Sequence, residues 1–84
     1  MLKSQIYETP GELSATIVYD INNPQYKTIL RAHKYSDSVI FWREEISPDS
    51  IDARPFERSK LICNNEILDF LKSSCEKILR EKRT

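Results

Sequence analysis

Between residues 64 and 83 the apolar side chains keep helical time over several turns, and no other part of the 84-residue chain does so. Ile67, Leu68, Leu71, Cys75, Ile78 and Leu79 recur at steps of three and four, the spacing that gathers side chains on one face of a helix. The spacing predicts a helix over 63–83, with Asn64 or Asn65 as the N-cap that accepts a bond from a free backbone N–H of the first turn. Glu66 and Asp69 then sit near the positive end of the helix dipole, and Lys77, Arg80, Lys82 and Arg83 near the negative end. A helix with one apolar stripe needs a surface to bury it on. The upstream residues have to supply that surface.

They do so as strands and turns. Residues 2–8 read as a short edge strand, with Leu2 and Ile6 on one side, followed by Thr9-Pro10-Gly11. Proline presets the first corner of a turn, and Gly11, the chain's only glycine, supplies the positive φ of the second. From Glu12 to Ile21 the chain alternates: Leu13, Ala15, Ile17, Tyr19 and Ile21 on one face, Ser14, Thr16, Val18 and Asp20 on the other. The first of these rows is the more apolar and is expected to face the helix. Asn22-Asn23-Pro24-Gln25 breaks the pattern.

Residues 26–35 fit two templates. As a strand, Tyr26, Thr28, Leu30 and Ala32 alternate against Lys27, Arg31 and His33. As a helix, Asn23 caps, Pro24 takes the first position, and Tyr26, Ile29, Leu30 and His33 share a face. Turn signals at 10–11, 22–25 and 36–38 recur at hairpin spacing, which favours the strand. Val39 to Glu45 carries Val-Ile-Phe-Trp, a dense β-forming run with bulk on both faces. From 47 to 62 the chain turns polar and reads as an irregular loop. Ser47-Pro48-Asp49 would cap a single helical turn, Phe56 would anchor the loop, and Leu61-Ile62-Cys63 would add a short strand or lead into the helix.

The expected architecture is one small α+β domain over 1–84: an antiparallel β-meander of three to four strands with the C-terminal amphipathic helix packed on one face. Strands fill 1–46, the loop 47–62 and the helix 63–83. At 1.5 Å per residue a 20-residue helix is about 30 Å long, so its charged tail is expected to overhang the strands. With 39% hydrophobic and 31% charged residues the core is modest. Stability is expected at about 5 kcal/mol.

The residue inventory argues against chemistry. Nucleophilic catalysis needs a Ser or Cys with an oriented base, and the single histidine, His33, has no spacing that ties it to a serine, Cys63 or Cys75. One His and two separated Cys make no zinc motif, and one glycine rules out phosphate-cradling loops. Glu44 and Glu45 are adjacent, and neighbours on a strand point to opposite faces, so they do not converge for acid–base work. No catalytic, cofactor-binding or metal site is expected, and no enzyme. Two cysteines are too few for a disulfide framework, no run is long enough to cross a bilayer, and the N-terminal Met-Leu-Lys-Ser-Gln-Ile lacks the apolar run of a signal peptide. A cytoplasmic setting is the default.

What remains is surface. The sheet face opposite the helix is expected to hold Thr16 and Val18 with part of the set Ile29, Arg31, His33, Tyr35 and Trp42. Arg43, Glu44 and Glu45 are added to Arg31, His33, Tyr35 and Trp42 as candidate partner-binding residues. Aromatics mixed with arginine suit protein interfaces and single-strand platforms alike. With 13 basic and 13 acidic residues there is no bulk charge to drive nucleic-acid binding. The expectation is a non-enzymatic protein-interaction module: an adaptor, accessory subunit or inhibitor, of the kind that phages and mobile elements encode. Its partner would be another protein, with no membrane. Single-stranded nucleic acid on the same face and a structural homodimer are the alternatives.

Overall fold

The computed structural model describes residues 2–9, 12–60 and 63–83, and within them the side chains of 2–5, 16–60 and 63–82. Five antiparallel strands form one sheet in the order of the chain. They are β1 (Leu2–Thr9), β2 (Glu12–Asp20), β3 (Asn23–Lys34), β4 (Val39–Ile46) and β5 (Ile51–Ser59), and α1 (Asn64–Arg83) packs across the sheet. The fold is therefore the expected α+β meander, with one strand more than expected.

That strand is β5, in the segment read as loop. It pairs along β4 from Ile46–Ile51 to Val39–Ser59, and Ser47-Pro48-Asp49-Ser50 is the hairpin turn, closed by the Ser47 N–H on the Ser50 carbonyl at 2.9 Å. No helical turn forms there. An edge strand exposed along nearly its whole length needs no alternation of apolar residues, so its polar sequence hid it. Pro55 is tolerated because it sits where the β4–β5 register shifts, opposite Trp42. Phe56 is the extra residue of that bulge.

Residues 26–34 are strand, not helix, Tyr35 falls just beyond it, and β3 starts earlier than expected, at Asn23. The break is a tight turn at Ile21–Asn22, where the Asn22 N–H donates to Asp20 Oδ1 at 2.9 Å. That bond holds the Asp20 carboxyl below its ordinary pKa. The register shift that follows takes Pro24 into the start of the strand. Pro10, Gly11, Leu61 and Ile62 lie outside the described residues.

Residues that pair directly across antiparallel strands share a face. On the helix side the core gathers Val18, Leu30, Ala32, Val39 and Phe41 against Ile67, Leu71, Cys75 and Ile78. Thr16 and Thr28 are fully buried in the same layer. The expected face assignment of β2 is thus reversed: Thr16 and Val18 face the helix, while Ile17 and Tyr19 face away. The side chains of Leu13 and Ala15 are not among those described. The reversal has a packing reason. On β2 the smaller Thr16 and Val18 lie under α1, which lets the helix axis come close, and the bulkier Ile17 and Tyr19 turn outward.

α1 begins one residue later than expected. The Cys63 carbonyl accepts the first helical bond, from the Ile67 N–H at 3.1 Å, and Cys63 Sγ reaches the Glu66 carboxylate at 3.1 Å. Cys63 therefore takes the cap position. Both asparagines lie inside the helix, and Asn64 Oδ1 accepts from Lys34 Nζ at 3.2 Å. The backbone of α1 approaches β1, β2 and β3 only. Side chains span the remaining distance: Phe70 packs against Phe41 at 4.4 Å with the ring planes tilted by 40° and stacks on Phe56 at 5.9 Å, and Arg43 meets Glu81 at 3.7 Å. The expected overhang does not occur. Lys82 lies by Leu2, Asp20 and Tyr26, because the 12-residue β3, about 40 Å at 3.3 Å per residue, outruns the helix. No helix among the described residues is long and apolar enough to cross a membrane.

Candidate functional site

The side of the sheet away from α1 is covered by no other described element. The pairings lay it out as rows. Gln5, Ile17, Ile29, Glu44 and Ala53 run across all five strands, and Tyr19, Lys27, Ile46 and Ile51 form the next row toward one end. Toward the other end come Arg31, Trp42 and Pro55, then His33, Ile40 and Arg58. Ile29 at the centre is only 6% exposed although no other described element lies over it. Ile17, Tyr19, Ile40, Trp42 and Ile46 are half-buried.

The polar groups are set into this apolar field. Arg31 Nε donates to Glu44 Oε1, joining β3 to β4 between Ile29 and Trp42, with both side chains largely covered. Trp42 is paired with Arg31 across the strands. His33 meets it edge-on, ring centroids 6.4 Å apart and planes at 82°. Lys3 and Arg58 stand on opposite edge strands, and Lys27 stands at the Tyr19 end.

Of the seven residues expected to bind a partner, the structure brings four together: Arg31, His33, Trp42 and Glu44. Arg43 and Glu45 are on the helix side. Arg43 Nε donates to Glu45 Oε1 at 2.7 Å, and Thr28 Oγ1 donates to Glu45 Oε2 at 2.8 Å. These two leave the candidate set because alternation along β4 turns them over. Tyr35 lies beyond the end of β3, 53% exposed, in the turn that its N–H closes on the Ser38 carbonyl at 2.7 Å. The four carboxylates around the β4–β5 turn also divide: Glu45 pairs with Asp52 on the helix side, Glu44 lies on the opposite face, and Asp49 is in the turn.

Sequence reasoning missed Ile17, Tyr19, Ile40 and Ile46 as members of this face, together with Lys3, Lys27 and Arg58. One signal was available for part of them. Once Arg31, His33 and Trp42 are placed outward, pairing with β3 carries Ile17 and Tyr19 outward as well.

Chemically, the face offers contact area and charge. Among the described residues no three His, Cys, Asp or Glu side chains gather to hold a metal ion. Burial pushes the Cys75 thiol up, away from the nucleophilic thiolate, and Cys75 lies in α1 toward the core rather than on this face. Compared with known proteins, the chain matches no family model, no curated protein and no solved structure.

Proposed function

We propose that this protein is a non-enzymatic protein-interaction module, an adaptor, accessory subunit or inhibitor, that docks another protein on the open face of its sheet. One observation carries the reading: Ile17, Tyr19, Ile29, Ile40, Trp42 and Ile46 make a contiguous apolar field with no part of the described chain over it. A monomeric soluble protein seldom leaves such a field bare unless something binds there. A central apolar patch with aromatics, ringed by charge, is also the anatomy of a protein interface. The two free thiols, Cys63 and Cys75, support a reducing, cytoplasmic setting.

The test is retention of a partner by the immobilised chain, comparing wild type with Trp42→Lys and with Lys72→Glu on the outer surface of α1. The expected result is a stoichiometric protein from the native host held by wild type and Lys72→Glu and lost with Trp42→Lys. When that protein is purified and added back, the emission of Trp42, the chain's one tryptophan, shifts to the blue. Retention of no stoichiometric protein, or equal retention by all three baits, overturns the proposal.

A further inference from the structure

We infer that the surface docking on this face is acidic at its periphery, so that the partner is a different, acid-rimmed protein and not a second copy of this chain. The inference rests on the interaction reading above and adds the partner's chemistry to it. Its basis is the way charge is sorted. Lys3, Lys27, Arg31 and Arg58 stand on the open face, and Glu44 is the one carboxylate there among the described strand residues, already joined to Arg31. Four positive charges against one leave an excess of three on one face of a chain whose net charge is zero.

The placement matters as much as the sum. Lys3 on β1 lies in the row of Tyr19 and Lys27, and Arg58 on β5 in the row of His33 and Ile40, so the two stand on opposite edges and toward opposite ends of the face. With Lys27 between Tyr19 and Ile46 they put positive charge on both edges and at both ends of the isoleucine field. Rim charges of one sign steer association and select against wrong partners. A second copy docking face to face would bring like charges together around the same apolar centre. Single-stranded nucleic acid fits less well. Phosphates need a continuous cationic track beside the stacked bases, and here the centre is isoleucine with a carboxylate beside the tryptophan.

The deciding comparison uses three forms of the full chain: wild type, Trp42→Lys, and the triple variant Lys3→Glu, Lys27→Glu, Arg58→Glu, whose changes leave the apolar centre intact. Circular dichroism and thermal melting first establish that all three fold alike. Each is then titrated, at low and high salt, with the protein that wild type retains and with an oligo-dT single strand. The expected result is a retained protein of acidic isoelectric point that binds on the order of tenfold or more weakly to the triple variant, with the wild-type affinity falling as salt rises. If the triple variant binds that protein as wild type does while Trp42→Lys does not, the acidic rim is refuted and the interaction reading stands. If Trp42→Lys also binds it normally, the interaction reading itself fails. Tight, salt-sensitive binding of oligo-dT, lost in the triple variant, replaces the partner by nucleic acid. Concentration-dependent self-association of wild type at low salt, abolished by Trp42→Lys, replaces it by a second copy.

Discussion

Thr16 lies fully buried under α1, and its Oγ1 has no hydrogen-bonding partner among the described residues. A buried hydroxyl without a partner forfeits its hydration and gains nothing in return. Val has nearly the same shape without that cost. Thr16→Val is therefore expected to stabilise the protein by about 1 kcal/mol, read as a rise in the urea midpoint at unchanged slope. The same position shows where the sequence was ambiguous. Both faces of β2 carry β-branched side chains, so alternation marks the strand, and the more apolar row proved a poor guide to which face is inside. Size settles it in the folded state: a helix seats more closely on Thr16, Val18, Thr28 and Ala32 than on Ile17 and Tyr19. Alternation along β4 was the more useful guide, since it already separated Glu44 from Glu45.

The elements differed sharply in how much of them could be read in advance. α1 was legible because six apolar residues repeat at helical spacing, and β2 and β4 because they are rich in β-forming side chains. The long β3 was legible only through the spacing of its turns. β5 was not legible at all: eight of its nine residues are exposed, and it joins the sheet through backbone bonds, which leave no mark on composition. Its one strong side-chain tie is Phe56, 38% exposed, against Phe41 at 6.1 Å and Phe70 at 5.9 Å. Phe56→Ala is expected to cost about 2 kcal/mol, below the roughly 3–5 kcal/mol of a fully buried phenylalanine. The loss should be local. Amide exchange should quicken along β5 and its partner positions on β4, while the β2–β3 amides under α1 keep their protection. Uniform loss of protection across the sheet would contradict this division.

At the scale of the whole molecule, one sheet separates two unlike environments. One side is sealed by α1 over β1 to β3 and by three phenylalanines beyond it. The other carries apolar side chains and surplus positive charge, and nothing of the described chain lies over it. The half-buried apolar field favours association, and the like charges around it oppose association with itself. Light scattering across a range of concentrations at low salt is expected to show a monomer, with self-association emerging as salt screens the rim. A stable dimer at low salt would run against the charge argument. Candidate residues were recoverable from the sequence to the extent that they lay on β3 and β4. The edge charges Lys3 and Arg58 join the same face only through a register that spans all five strands.

The extra residue in β5 has one more effect. On either side of Phe56 the alternation is undisturbed, with Pro55 and Arg58 turned one way and Arg54 and Glu57 the other. Excising that single position would leave every remaining side chain of the hairpin pointing where it points now. The third ring of the aromatic trio is thus an insert that the ribbon can lose without redrawing any pairing.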